Sequence, residues 1–291
     1  MQRPLLIVNP FASSVSEDRI EAVAAELGDV EVRRTEHPGH ATELAREARG
    51  RSALYVFSGD GVFNEALNGL AADVPIGFIP GGGASVLPRA LGLPRDPVTA
   101  ARKLVGGTTR RISLGRVNGR RFAFAAAIGL AAEVVRRVDR RGRTEEGGRA
   151  GNLMFAWTIM HVVAERRARF EPAIEIAGEG RAAFALVANC DPYTYAGPVP
   201  LHVAPGASFA LGLDLAAPVE LRPSRLPAIA VALARPRRAE RDWILRARDV
   251  DELLLECDRP MPLQADGEDL GDVTAAAFRA ERNALRVLVA R

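Results

Sequence analysis

The sequence predicts an α/β protein: a doubly wound α/β domain over residues 1–115, then a β-rich, sandwich-like domain over residues 116–291. Three observations predict it. Short apolar runs alternate with helical periodicity through the first third of the chain. An Asn118-Gly119 dipeptide then sits between two strand-like runs, the strongest short-range hairpin signal. Beyond it strands dominate to the C-terminus. A chain of 291 residues has room for two medium domains.

The elements follow in order. Leu5-Leu6-Ile7-Val8 is wholly apolar and stopped by Asn9-Pro10, as in a buried parallel strand. Residues 17–27 have apolar positions at Ile20, Val23, Ala24 and Leu27, with Gly28 as a stop. Residues 30–34 are strand-like and residues 40–49 helical. Residues 53–57 form an apolar strand ending in Ser58-Gly59-Asp60-Gly61, and residues 62–70 are helical. Residues 75–79 form another strand, ending in Pro80-Gly81-Gly82-Gly83, before helical patterns at 84–91 and 98–105. In the second domain, strands are expected at 111–117, 121–126, 173–176, 183–188, 208–215, 243–247, 252–256, 261–264 and 285–289. The last of these is free to return to the first domain. Helical stretches are expected near 128–141 and 152–167, and the charged segment 136–149 is expected as an exposed connection.

Hydrophobic residues are 48% and charged residues 26%, an ordinary globular balance that argues against disorder. The net charge is +3, and arginine supplies nearly all the positive charge. Arginine suits bidentate phosphate contacts; a GC-rich genome gives the same composition. Aromatic content of 5% and the absence of any nucleic-acid-binding motif argue against a nucleic-acid partner. Two cysteines, Cys190 and Cys257, with no CxxC make a disulfide framework or zinc site unexpected; both are expected as small buried residues. The first apolar run is too short for a signal peptide, and no apolar run is long enough to span a bilayer, so a cytoplasmic protein is expected.

Two glycine-rich loops at the ends of consecutive parallel strands would lie together at one sheet edge, where open α/β sheets bind ligands. Glycines at 59, 61, 81, 82 and 83 let backbone N–H groups approach a phosphate. The loop Asn9-Pro10-Phe11-Ala12 after the first strand is a third component. The pattern points to a nucleotide or polyphosphate site. It is not a Walker A loop, since GxxxxGK[ST] is missing, and no GxGxxG follows the first strand. An aspartate beside phosphates needs a metal, a ribose hydroxyl or a water to hold, which makes Asp60 the candidate metal ligand.

At these residues the sequence resembles the diacylglycerol kinase catalytic domain family, which includes sphingosine and ceramide kinases and bacterial lipid kinases. The resemblance rests on Asn9-Pro10, the segment SGDGVFNEALNGL (58–70), the segment IPGGGASVLPRALGLP (79–94), Asn189, Ala204-Pro205, and Asp266-Gly267-Glu268. Gly-Asp-Gly alone is shared with NAD kinases and phosphofructokinases; the second glycine loop and the late Asp-Gly-Glu make the likeness specific. The resemblance implies a two-domain fold with an ATP cleft and Mg²⁺. It implies that Asn9, Pro10, Thr35, Ser58, Gly59, Asp60, Gly61, Asn64, Gly81, Gly82 and Gly83 surround the nucleotide, and that Asp266 and Glu268 serve catalysis. The implied reaction moves the γ-phosphoryl of ATP to a lipid hydroxyl, with diacylglycerol as the leading acceptor, in a protein that meets an anionic membrane surface peripherally. Alternatives are a soluble-acceptor kinase of the NAD kinase type, or a nucleotide- or lipid-binding relative with little turnover.

Departures from the family pattern bear on that alternative. Val62 and Gly83 stand where threonine is usual, Ser85 where asparagine is usual, and Val86 where bacterial members often have aspartate. Ala210 stands where an acid would bind a structural Mg²⁺, so that metal site is expected to be absent or weak.

A lipid kinase also needs an apolar groove. Residues 152–163 (NLMFAWTIMHVV) are apolar almost all round, which fits a core helix or a lipid-facing one. Arg136, Arg137, Arg140, Arg141 and Arg143 before it, and Arg166, Arg167 and Arg169 after it, would meet anionic headgroups or form a solvated face. His161 is expected as a packed core histidine. His37 and His40 are expected as loop residues, since no third metal ligand is evident from spacing.

Overall fold

The computed structural model describes residues 2–71, 73–142, 152–234 and 242–291. The chain forms two compact units. One comprises residues 1–112 and 283–291; the other takes the described residues from 113 to 282.

The first unit is a parallel sheet covered by helices. Its strands are β1 (Leu5–Val8), β2 (Glu31–Arg34), β3 (Leu54–Ser58) and β4 (Ile76–Pro80). They lie in the order β2-β1-β3-β4, all parallel. The C-terminal end of the long strand β16 (Glu268–Val289) pairs parallel with β4 through Val287 and Ile76. Strands β1, β3 and β4 are buried at every residue, as both faces of a parallel sheet require, while β2 at the edge is exposed and carries Arg33 and Arg34.

Helices α1 (Glu17–Leu27), α2 (His40–Arg46), α3 (Asp60–Gly69), α4 (Val86–Ala90) and α5 (Pro97–Val105) complete the unit. Ser16 caps α1, and Asp96 caps α5 by accepting from the Thr99 N–H at 2.7 Å, with Pro97 in the first turn. Ile20, Val23 and Leu27 of α1 and Ala101 and Leu104 of α5 join Leu6, Val8 and Phe57 in one core.

The second unit is β-rich and antiparallel. It holds the end of β5 (Thr108–Val117), then β6 (Arg120–Phe122), β7 (Ala125–Ile128), β8 (Ile174–Ile176), β9 (Gly180–Ala182), β10 (Ala185–Ala188), β13 (Leu213–Pro218), β14 (Ile244–Val250) and β15 (Glu252–Ala265). With the first part of β16 they run in the order β14-β13-β10-β7-β15-β16. A small separate hairpin joins β11 (Thr194–Ala196) to β12 (Val199–Leu201). Phe122, Ile128, Ile174, Val187, Leu215, Leu255, Leu263 and Phe278 fill the core. Asn118-Gly119 makes the expected two-residue turn between β5 and β6, with both residues at positive φ.

The expected strands at 252–256 and 261–264 are one continuous strand, β15, interrupted in its pairing with β16 between Glu256 and Met261. The strand expected at 208–215 begins later, at Leu213, because residues 208–211 turn. Helix α8 (Leu226–Ala234) is not legible in the sequence: LPAIAVALA has no polar face from which helical periodicity can be read.

Two further expectations are corrected. The connection expected at 136–149 is helical at its start, since α6 (Leu130–Gly142) continues through it; residues 143–149, with Arg143, lie outside the described residues. Helix α7 (Asn152–Glu165) is not a core helix all round. Trp157, Ile159 and Met160 are 53%, 45% and 72% exposed, whereas Thr158 and Val162 are buried. His161 is half-exposed as well, stacked on Trp157 and paired with Glu165. Among the described residues, no helix is long and apolar enough to cross a membrane.

Candidate functional site

The first unit gathers its loops at the C-terminal edge of the sheet. Ser14 N–H donates to Gly81 O at 2.9 Å, and Gly81 N–H donates to Ser58 O at 2.7 Å, so the loops after β1, β3 and β4 are joined by backbone bonds. The two glycine loops touch closely: a Cβ on Gly82 would stand 2.8 Å from Gly59 Cα, and one on Gly81 would stand 3.1 Å from Ser58 Cα. Only glycine permits that approach. Gly83 is different, with no neighbouring atom within 4 Å of a Cβ, so its backbone faces open space.

Asp60 locks this arrangement. Its two carboxylate oxygens accept the N–H groups of Val86 and Leu87 at 3.0 and 3.1 Å, tying the first glycine loop to the short helix after the second. The structure thus gives the candidate metal ligand a positioning task. Ser85, in a left-handed conformation with φ 45°, bonds back to Gly82 O at 2.8 Å and shapes the same loop.

The other predicted residues fall around it. Asn9 Oδ1 accepts from Phe11 N–H at 3.0 Å, closing the turn that Pro10 begins. Thr35 is buried at the end of β2, its N–H bonded to Val8 O at 2.8 Å. Asn64 is fully buried on α3, with Asn68 Nδ2 donating to its carbonyl at 2.9 Å. Ser58 Oγ is buried and has no hydrogen-bond partner among the described residues. A buried hydroxyl without a partner, beside glycine backbone, fits a site that receives hydrogen-bonding oxygens from a ligand. The donor set is backbone N–H, hydroxyl and amide, which is the chemistry of phosphate binding, and the N-terminus of the ten-residue α3 opens onto it.

His37, His40 and Glu43 come together nearby in sequence, their ligand atoms within 4.8 Å of one another. Glu43 is the third ligand that spacing did not reveal; α2 brings it one turn beyond His40. The two imidazoles stack at 4.7 Å. His40 Nδ1 faces the Glu36 N–H at 3.1 Å, so the proton sits on Nε2 in the neutral ring, which disfavours metal there.

In the second unit, Asp266 and Gly267 are the two central residues of the hairpin turn between β15 and β16, with φ 50° and 82°. The Asp266 side chain is buried. One oxygen accepts from Ala123 N–H at 2.6 Å and the other from Phe124 and Ala125 N–H at 2.9 and 3.2 Å. Asn189 supports the same segment, donating from Nδ2 to Ser113 O and Ala123 O at 2.8 and 2.7 Å. Glu268, one residue past the turn, is half-exposed.

Two arrangements were missed by sequence reasoning. Asp191 and His202 form a shielded pair, Oδ2 to Nδ1 at 2.6 Å, each side chain 16% exposed. Burial raises the Asp191 carboxyl above its ordinary value, and the His202 contact partly offsets this. Asp191 Oδ1 is buried without a partner among the described residues. No local signal joins residues eleven apart across the β11–β12 hairpin. Arg136, expected at a headgroup surface or on a solvated face, bonds Asp269 at 2.9 Å and Asp272 at 2.6 Å, and Arg137 bonds Glu133 and Glu165, both at 2.6 Å, ties that the sequence does not show.

Comparison with known proteins adds to this geometry. The model of the diacylglycerol kinase catalytic domain matches residues 3–117. A diacylglycerol kinase of Bacillus subtilis (strain 168) is 36% identical over 115 residues, 38% of each chain. A diacylglycerol kinase of Mycobacterium tuberculosis (strain CDC 1551 / Oshkosh) is 41% identical over 111 residues, 36% of each chain. These alignments therefore span well under two thirds of the relatives' own length. The crystal structure of a diacylglycerol kinase from Bacillus anthracis str. Sterne superposes with TM-score 0.74 at 19% identity, covering 99% of this chain and 97% of that one. At that identity the likeness shows the fold.

Proposed function

We propose that this chain, which through residues 3–117 belongs to the diacylglycerol kinase catalytic domain family, is an ATP-dependent kinase that transfers the γ-phosphoryl group to a lipid hydroxyl. The observation that carries the reading is the joined pair of glycine loops, closed by Asp60, around the unpartnered hydroxyl of Ser58. Asn9, Pro10, Thr35, Gly59, Gly61, Asn64, Gly81, Gly82 and Gly83 form the nucleotide-holding set. The open backbone at Gly83 and the α3 N-terminus take the phosphate charge. Mg²⁺ bound with ATP would supply further charge neutralisation, and Asp60 is the residue that would hold it.

Phosphoryl transfer needs alignment and charge stabilisation more than covalent help from the protein. It also needs a proton acceptor for the attacking hydroxyl. We assign that proton to Glu268, because three backbone N–H groups already occupy Asp266. As the hydroxyl oxygen bonds the γ-phosphorus, its O–H proton passes to the Glu268 carboxylate and the bond to the β-phosphate oxygen breaks. Asp266 holds the turn that carries Glu268.

Diacylglycerol is the acceptor we favour. Its name comes from relatives aligned mainly over the nucleotide-binding segment, so the acceptor rests on the second unit. There α7 exposes Trp157, Ile159 and Met160, an apolar face suited to acyl chains and to peripheral contact with an anionic membrane surface. A second reading is favoured by Val62 and Gly83, which lack hydroxyls beside the phosphate loops: a nucleotide- and lipid-binding protein with weak turnover. Phosphoryl transfer from labelled ATP to diacylglycerol in mixed micelles, with wild type beside Glu268→Gln, separates the two. Label in the lipid fraction that the variant loses supports the kinase. ATP binding without transfer by either protein supports the second reading.

A further inference from the structure

The second unit holds a cavity of about 430 Å³ that the proposed transfer reaction does not use. That is within the size range of small-ligand sites, about 300–1,000 Å³. Three arginines line it: Arg166, Arg169 and Arg259. None has a carboxylate partner among the described residues; Arg166 lies over the Phe170 ring at 5.3 Å. Three acids also line the cavity, yet two are engaged elsewhere. Glu133 is paired with Arg137 at 2.6 Å, and Asp258 with Arg181. Glu171 is the one lining carboxylate without a described cationic partner, against three lining arginines without a described carboxylate partner.

The backbone is shaped to place these arginines. Arg167 and Ala168, just past α7, are both left-handed, with φ 49° and 52°. Two consecutive non-glycine residues in that region are costly and need support. Bonds from Arg167 N–H to Ala164 O at 2.8 Å and from Ala168 N–H to Val163 O at 2.7 Å provide it. The turn brings both Arg166 and Arg169 to the cavity wall. Arg259 comes from the opposite side, in the stretch of β15 that leaves its ladder with β16 between Glu256 and Met261. Pro260 lies within that stretch and cannot donate to a ladder. Leu130, Val162, Phe170 and Met261 give the cavity an apolar wall.

The cavity is separate from the Asp266 turn. Pro262 O accepts from Gly129 N–H at one end of the β7–β15 ladder, and Asp266 N–H bonds Ala125 O at the other. Four strand residues put them about 13 Å apart.

We propose that this cavity is a binding site for a dianionic phosphate group, held by Arg166, Arg169 and Arg259 and backed by an apolar wall. Guanidinium groups bind phosphate bidentately, and three around one cavity match a dianion. The two sources of that chemistry are the monoester headgroup of phosphatidic acid and free phosphate. A phosphate monoester on a lipid is also the class of product that the proposed reaction makes, so the site would read product. The binding itself does not depend on turnover.

Equilibrium binding to the full chain without ATP tests it, using three probes: dihexanoyl phosphatidic acid below its micelle concentration, inorganic phosphate, and dihexanoyl phosphatidylcholine. Wild type is compared with the combined Arg166→Gln, Arg169→Gln, Arg259→Gln variant and with each single change. Saturable phosphatidic acid binding that weakens at least about tenfold in the combined variant, falls with salt and is not matched by phosphatidylcholine supports the site. Inorganic phosphate binding equally well, with the same loss, supports it with free phosphate as the source. Equal binding by wild type and variants, equal binding of phosphatidylcholine, or no binding of either anion by wild type overturns it. If the combined variant does not fold, the single changes decide. ATP binding measured in parallel reports separately on the nucleotide site.

Discussion

The Asp266 carboxylate lies 2.6 Å from the backbone nitrogen of Ala123, and its other oxygen takes the N–H groups of Phe124 and Ala125. A side chain of the hairpin turn thus organises the entry to β7. Glu268, two residues on, has no such burial. Asp266→Ala is expected to destabilise the fold by about 3 kcal/mol or more, since three buried donors lose a charged acceptor. Glu268→Gln is expected to change stability by less than about 1 kcal/mol while lowering kcat by roughly 10²–10⁴-fold at unchanged KM for ATP. Thermal melts beside steady-state kinetics separate the two carboxylates.

Ser58 gives a prediction of opposite sign. Its buried hydroxyl has no partner among the described residues, so Ser58→Ala removes a polar group that is desolvated without return. Stability is expected to hold or rise by up to about 1 kcal/mol, and ATP affinity to fall several-fold. Calorimetric ATP titration together with a melting curve checks both. A drop in stability with unchanged ATP affinity contradicts a nucleotide-facing Ser58.

The two adjacent glycines Gly82 and Gly83 should differ sharply. A Cβ at Gly82 meets Gly59 Cα at 2.8 Å, so Gly82→Ala is expected to cost about 1–3 kcal/mol and to weaken ATP binding. Gly83 has open space, so Gly83→Ala is expected to leave stability within about 0.5 kcal/mol. Gly83→Thr restores the hydroxyl usual in the family and is expected to lower KM for ATP.

Arg136 joins α6 to the strand beyond the Asp266 turn through Asp269 and Asp272. Burial is the largest single influence on the Asp269 carboxyl and raises it, but the Arg136 hydrogen bond, the Gly271 N–H and the charges of Arg136 and Arg140 together hold the group below its ordinary 3.8. A carboxylate with a depressed folded value stabilises the fold above its unfolded value, and that contribution is lost as pH falls through the folded value. The stability difference between wild type and Arg136→Ala is therefore expected to be full at pH 5 and above, about 1–3 kcal/mol, and to shrink below pH 3.8. Denaturation at several pH values measures it.

The first unit was legible because its strands are buried on both faces and end in glycine loops, so local pattern and fold agree at β1, β3 and β4. Asn118-Gly119 was legible for the same local reason. Asp266-Gly267 is an equally clear hairpin signal, and it folds as that turn, with both residues at positive φ. What the sequence could not show depends on distant partners. The exposed face of α7 and the tie from Arg136 to Asp269 are set by packing between elements far apart in the chain. Glu43 joins His37 and His40 only because α2 starts at His40. The Asp191–His202 pair needs the β11–β12 hairpin to fold back. Helix α8 lacks the polar face that would have announced it.

The most direct test of the central claim is transfer of label from γ-labelled ATP to lipid by purified protein, against diacylglycerol and a panel of lipid extracts. Label is expected in the lipid fraction, dependent on Mg²⁺, reduced by Gly82→Ala and lost in Glu268→Gln. ATP binding with no transfer to any lipid, or transfer that Glu268→Gln leaves intact, would contradict it.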